Sequence, residues 1–151
     1  MSTKPPVPTI NLDPKSLRTD GRNNVTGILF FSTKDGEFPD ASWNDRVTVV
    51  LSWWCETLLA FESTSIANKA LLRFMDGPFS IEVESFNTSD HLQLTFLRQR
   101  TPVYSATMSR SELRRQVVGA SKQTIDFCIS VGATGDDIMR LSVGLNAFRE
   151  S

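Results

Sequence analysis

The chain has 151 residues, of which 40% are hydrophobic and 22% are charged, and its 16 basic and 17 acidic residues give a formal net charge of −1. This length fits one domain, and these proportions are typical of a soluble globular protein. The near balance of charges argues against nucleic-acid binding through a broad basic face. We therefore expect a single globular domain without a nucleic-acid partner.

The N-terminal segment, residues 1–22, has prolines at positions 5, 6, 8 and 14 and only scattered apolar residues. Proline fits neither a helix interior nor a central strand, so the sequence predicts a flexible tail over 1–22, partly draped over the domain, and a domain over 23–151. The segment has no apolar run of the kind found in signal peptides, and no part of the chain approaches the ~20 apolar residues of a membrane span. We expect a cytoplasmic protein with no membrane partner.

The first predicted strand is the apolar run VTGILFF at 25–31, and an acidic loop follows it. The loop contains Asp35, Glu37 and Asp40. Paired carboxylates can perform acid–base chemistry or bind a hard cation, but KDGEFPD lacks the spacing of a calcium loop. We interpret the loop as a solvated connection ahead of a helix. Partner binding is its functional alternative, because loops on rigid scaffolds often carry recognition.

The segment 43–62 is predicted to be a helix, because its large apolar residues recur with helical spacing. These residues are Trp43, Val47, Val50, Leu51, Trp54, Leu58 and Phe61. Ser42 and Asp45 resemble a capping box at its start. Trp53 lies about 100° around the helix from Trp54, at the edge of the apolar stripe or exposed. Since Trp is enriched at interface hot spots, Trp53 is a further candidate for partner binding.

Residues 69–108 change to a period of two, which predicts four consecutive antiparallel strands with one face on the core. The stretches FSIEVES and HLQLTFLRQ show this alternation most clearly. Asp76-Gly77-Pro78 separates the first two of these strands. Each of its residues has a role in tight turns, so we interpret it as a bend and not as a site.

Two helices are predicted in the C-terminal third. The first opens with the capping box Ser109-x-x-Glu112 and closes at Gly132. The second has Asp136 and Asp137 in its first turn, where the helix macrodipole favours acidic side chains. The predicted order is β-α-β-β-β-β-α-α. This is an α+β fold, with an antiparallel sheet of about five strands and the helices packed on one face.

Residues with catalytic or metal-binding chemistry are sparse. His91 is the only histidine, and Cys55 and Cys128 lie far apart in predicted helices. This set does not match the spacing of a zinc site, and neither a phosphate-binding glycine loop nor a G-x-S-x-G elbow occurs. We expect two buried free thiols, no catalytic residue, no metal and no cofactor.

Two stretches, EFPDASWNDRVTVVLSWWCETL and LLRFMDGPFSIEVES, are followed by a helical C-terminal third. Over residues 25–150 this arrangement resembles small bacterial proteins of the polymorphic-toxin immunity type. The resemblance implies a single-domain, cytoplasmic, non-enzymatic protein that neutralises a toxin by stoichiometric binding. The near-zero net charge departs from the acidic character of those members that match basic nuclease toxins. The resemblance assigns no functional residue.

The sequence thus predicts a non-enzymatic protein-binding module. Its expected contact residues are Asp35, Glu37, Asp40 and Trp53. The partner is another protein, such as a toxin, or a second copy of the chain in a homodimer. Two alternatives stay open: a homo-oligomeric structural protein, and a small-ligand-binding protein or enzyme with a cavity between the sheet and its helices.

Overall fold

The computed structural model describes residues 7–21, 23–63, 68–85 and 90–151. Within these ranges the strands are β1 (Thr9–Leu12), β2 (Arg18–Thr19), β3 (Val25–Thr33), β4 (Gly36–Phe38), β5 (Asn44–Asp45), β6 (Lys69–Arg73), β7 (Phe79–Ser85), β8 (His91–Arg98) and β9 (Thr101–Ser109). The helices are α1 (Val47–Glu62), α2 (Arg110–Val131) and α3 (Asp136–Glu150), with a short 3-10 helix at Pro14–Ser16.

The α+β class is confirmed, and the strands form two antiparallel sheets. The predicted meander over 69–108 is one of them, with the order β6-β7-β8-β9. β3 does not join it, because β3 is the centre of the second sheet and pairs there with β1, β2, β4 and β5. The single sheet that the sequence predicted is therefore divided in two, since nearby segments of the chain fill the hydrogen-bonding edges of β3.

The segment before β3 packs against that strand. β1 pairs in antiparallel register with residues 29–32 of β3, and Leu17 is 3% exposed. Pro14 fits this arrangement because it begins the 3-10 helix, where no backbone N–H is required. The sequence predicted a tail over 1–22 that is partly draped over the domain, and residues 9–12 of it pair with β3. Residues 1–6 and 22 lie outside the described ranges.

The start of α1 also differs from the prediction. The helix begins at Val47 and not at residue 43. Asp45 belongs to β5, and its side chain is 2% exposed. The predicted capping box at Ser42 and Asp45 is wrong, because the Asp45 carboxylate accepts hydrogen bonds from groups outside the helix, among them the indole Nε1 of Trp43 at 3.0 Å.

The core lies where the two sheets meet beside α1. The ring of Phe96 on β8 lies 5.5 Å from that of Phe31 on β3 and 5.2 Å from that of Phe38 on β4, measured between centroids. Trp54 of α1 packs on Phe31 at 5.6 Å. All four rings are buried, which confirms the predicted core position of Trp54. α2 and α3 pack on α1 and on each other.

The ends of the C-terminal helices follow the prediction. The Ser109 Oγ accepts the backbone N–H of Glu112 at 3.1 Å, and α2 ends at Gly132 with a φ of 68°. Asp136 and Asp137 occupy the first turn of α3. No helix in the described part of the chain is long and apolar enough to cross a membrane.

Candidate functional site

Two neighbouring tryptophans of α1 lie in opposite environments. Trp54 is fully buried, and its indole Nε1 donates a hydrogen bond to the carbonyl oxygen of Arg73 at 2.9 Å. Trp53 is half-buried, because it lies about 100° around the helix from Trp54 and packs at the margin of the core with part of its surface exposed. The predicted position of Trp53 at the edge of the apolar stripe is confirmed, and its indole faces a groove.

The groove has a volume of about 300 Å³ and is open to solvent, and three elements line it. α1 provides Trp53, Glu56 and Thr57, which share one helical face because they are spaced at i, i+3 and i+4. β6 provides Leu71 and Arg73, which alternate with the buried Leu72 and therefore point to the outer side of the sheet. α3 provides Arg140.

The charges in this groove do not cancel. Arg140 forms an ion pair with Glu56, with 3.0 Å between Nε and Oε2. Both side chains are about half exposed, and an ion pair at such a position contributes little to stability. Arg73 is exposed, and its guanidinium makes no ion pair with any described residue. The Trp53 groove therefore presents an indole beside an unneutralised positive charge, a combination that suits an apolar group with a nearby carboxylate.

The predicted acidic contacts lie elsewhere, in and after the β3–β4 hairpin. Asp35 is in the turn, Glu37 is in β4, and Asp40 accepts the backbone N–H of Ser42 at 2.8 Å. All three carboxylates are on exposed residues, and none of them lines the Trp53 groove. The structure thus separates the four predicted contact residues into Trp53 in the groove and an acidic patch formed by the other three.

The β3–β4 hairpin, which carries Asp35 and Glu37, contacts the other sheet at Gly36. A Cβ at Gly36 would lie 2.6 Å from the hydroxyl oxygen of Tyr104 on β9, and the φ of Gly36 is +148°. Only glycine allows this close approach, so the hairpin turn rests against β9. The turn that carries Asp35 is therefore packed against β9.

Sequence reasoning identified Trp53 but missed its neighbours in the groove. Glu56 and Arg73 had a local signal, since Glu56 follows Trp53 at i+3 and Arg73 alternates with a buried leucine. Arg140 had none, because it reaches the groove from a helix near the other end of the chain. Its position depends on the packing of α3 against α1.

The groups with metal-binding or nucleophilic chemistry are dispersed. Among the described residues, no three His, Cys, Asp or Glu side chains are placed to hold a metal ion. Cys55 and Cys128 are buried free thiols, as predicted. Burial raises the pKa of the Cys55 thiol to about 11, so this sulfur stays protonated at neutral pH and is not an activated nucleophile. His91 is exposed at the start of β8.

No protein-family model matches the chain, and neither a curated protein nor a solved structure matches it.

Proposed function

We propose that this protein is a cytoplasmic, non-enzymatic protein-binding module and that the Trp53 groove is its main contact surface. The observation that supports this proposal is a half-buried tryptophan beside Arg73, whose guanidinium makes no ion pair within the described part of the chain. Tryptophan and arginine are two of the residue types most enriched at interface hot spots. Both are supplied by regular secondary structure, so the backbone at each position is fixed before binding.

The chemistry of the groove defines the partner surface that fits it. An apolar or aromatic side chain covers the Trp53 indole, and an Asp or Glu of the partner neutralises Arg73 through a bidentate hydrogen bond. The acidic patch of Asp35, Glu37 and Asp40 is a separate contact for basic side chains of the same partner. A mixed partner of this kind agrees with a formal net charge of −1.

The proposal is tested by capturing partners with the tagged protein from a lysate of its own cells, followed by mass spectrometry. We expect one partner in a 1:1 complex, lost on Trp53→Ala and on Arg73→Glu. The matched control is Arg149→Glu, an equal charge reversal at an exposed position of α3 outside the groove. Thermal unfolding of each variant shows whether it is folded.

The outcomes separate the candidate functions. A partner that both groove variants retain would place the contact elsewhere, and Asp40→Lys then tests the acidic patch. A small molecule that is found in the native mass spectrum of the purified chain, with no protein partner, would favour a ligand-binding protein instead.

A more specific version of this proposal is that the protein is an immunity-type protein and that its partner is a toxin. This version is supported by the resemblance of the sequence to immunity proteins. It predicts that the captured partner arrests growth when it is produced alone and that co-production of this chain restores growth. Rescue should fail with Trp53→Ala and persist with Arg149→Glu. A harmless partner would contradict the immunity role and leave the binding function intact.

A further inference from the structure

The two edges of the β6-β7-β8-β9 sheet differ in how they are protected. At one edge, α1 packs beside β6, and the indole N–H of Trp54 donates a hydrogen bond to the carbonyl oxygen of Arg73. β6 also carries Lys69, whose Nζ lies 3.6 Å from a carboxylate oxygen of Glu82 and 3.8 Å from one of Glu84. A covering helix and an edge lysine are both devices that prevent further strand pairing.

Within the described part of the chain, the opposite edge, β9, has neither a covering helix nor a lysine, and its protection is limited to its start, where Pro102 removes one backbone donor next to an irregularity in the pairing with β8. Its nine residues, TPVYSATMS at 101–109, include no charged side chain. β9 pairs with β8 on one side and with no described strand on the other. Val103, Ser105 and Thr107 are exposed, and Val103 reaches 45%. Tyr104 contacts the β3–β4 turn with its side chain, which leaves the backbone groups along the outer edge of β9 without a described partner.

We propose that β9 pairs in antiparallel register with β9 of a second copy of the chain, across a two-fold axis. A free strand edge is complementary to another strand, because only a strand presents backbone donors and acceptors at the same spacing. The two four-stranded sheets would then join into one continuous sheet. The pairing is isologous, so each contact occurs twice.

The side chains of β9 are compatible with pairing between two copies of this strand. Ser105 is the middle residue of β9, so a fully overlapping antiparallel pair places two Ser105 side chains opposite each other. Val103 of each copy then lies opposite Thr107 of the other. These pairs contain no like charges and include β-branched side chains, which favour cross-strand packing. Self-pairing through β6 would instead place Lys69 of each copy opposite Arg73 of the other, so that like charges meet.

A second exposed surface is a rival interface and serves as a control. Ile129 of α2 and Met139 and Val143 of α3 are 73%, 67% and 65% exposed. Exposed apolar side chains on two helices that pack together are the kind of residue found at interaction sites. Nothing in the structure indicates what covers them. A charged substitution at Met139 therefore tests whether self-association uses this surface instead of β9.

The experiment is sedimentation equilibrium of the purified chain over a wide range of concentrations. We expect the wild-type protein to be a dimer, and Ser105→Lys and Ser105→Glu each to be monomeric, because each variant places like charges opposite each other. An equal mixture of the two variants should recover the dimer, since opposite charges then meet across the axis. Met139→Lys should remain dimeric.

Three results would overturn the proposal: a wild-type protein that is monomeric at every concentration, a Ser105→Lys dimer, or a mixture that stays monomeric. Loss of the dimer in Met139→Lys, with Ser105→Lys unaffected, would assign the interface to α2 and α3. Circular dichroism confirms that each variant is folded. If either Ser105 variant does not fold, two double variants at exposed positions of β9 form an equivalent pair. One carries Val103→Lys with Thr107→Lys and the other Val103→Glu with Thr107→Glu, so that like charges again face each other in each homodimer.

Discussion

The carboxylate of Asp45 accepts the backbone N–H of Met75 at 3.1 Å, although the two residues are thirty positions apart. The same oxygen accepts the indole N–H of Trp43 at 3.0 Å, and the Trp43 ring packs on Phe79 at 5.0 Å. Gly77 takes a φ of +74° beneath this ring, where a Cβ would lie 3.1 Å from the indole. The Asp76-Gly77-Pro78 stretch is therefore a bend, as predicted, and the segment before α1 fixes its shape.

Asp45→Ala should destabilise the protein by about 2 kcal/mol, because it leaves partly buried backbone and indole N–H groups without an acceptor. Asp45→Asn keeps one acceptor oxygen and should cost about half as much. Urea denaturation followed by circular dichroism measures both changes. Asp35→Ala is the matched control, since Asp35 is exposed, and its effect should stay within about 0.5 kcal/mol. A similarly small effect at Asp45 would show that the bend is held by other contacts.

Of the two adjacent tryptophans of α1, Trp54 should matter mainly for stability and Trp53 mainly for partner binding. Trp54→Ala removes a buried ring and should cost about 3 to 5 kcal/mol, whereas Trp53→Ala should cost about 1 kcal/mol or less. Trp54→Phe keeps an aromatic ring but loses the hydrogen bond to Arg73, which should cost about 1 to 2 kcal/mol. Urea denaturation tests the set. A cost for Trp53→Ala equal to that for Trp54→Ala would make Trp53 a core residue and remove the basis of the proposed contact surface.

The elements that the sequence predicted are those with local causes. The alternation in 79–85 and 91–98 is visible because one face of each strand is buried and the other is not. The ends of α2 are visible because Ser109 caps a nearby N–H and Gly132 adopts a positive φ. These properties depend only on residues a few positions away along the chain, so they can be recognised in a single sequence.

The features that the sequence missed depend on distant partners. Ser42 and Asp45 have the spacing of a capping box, but the Asp45 carboxylate instead accepts the backbone N–H groups of Met75 and Asp76 in the bend. The strand at 9–12 lacks a pattern of its own and forms because β3 offers a free edge. Arg140 enters the Trp53 groove only through the packing of α3 on α1. Both β1 and this groove are therefore consequences of the assembled fold.

Arg114 connects all three helices, and its removal should have a pH-dependent cost. Its Nη1 lies 3.2 Å from Glu62 of α1, and its Nη2 donates to the carbonyl oxygen of Phe148 near the end of α3. Arg114→Ala should cost about 1 to 3 kcal/mol at neutral pH, because partly buried charge-assisted hydrogen bonds are lost. Urea denaturation measures this change. Lys122→Ala, an exposed position of α2, is the matched control.

The pH dependence follows from Glu62. Burial raises the pKa of its carboxyl above 4.5, and Arg114 and Arg110 oppose this rise, so Arg114→Ala should raise the pKa further. A carboxyl whose pKa is higher in the folded state contributes stability below its unfolded pKa and loses it as the pH rises through the folded value. The stability of Arg114→Ala should therefore fall more steeply above pH 4.5 than that of the wild type. Adding Glu62→Gln should abolish this difference in slope, and a slope that persists would assign the effect to another group.

Cys55 should be unreactive in the folded protein and should make stability fall at high pH. Its sulfur is buried 3.6 Å from the Ser121 hydroxyl oxygen, and burial raises the pKa of the thiol to about 11. In a Cys128→Ala background, which leaves one thiol, a disulfide reagent at pH 8 should label the chain only after unfolding by urea.

Because the pKa of the Cys55 thiol is higher in the folded state, the stabilisation from the protonated thiol is complete below the unfolded value of 9.0 and is lost as the pH rises towards 11. The stability advantage over Cys55→Ala, in the same background, should thus shrink by about 2 kcal/mol across that window. Rapid labelling of the folded chain, or a constant advantage from pH 9 to 11, would show that solvent reaches the sulfur.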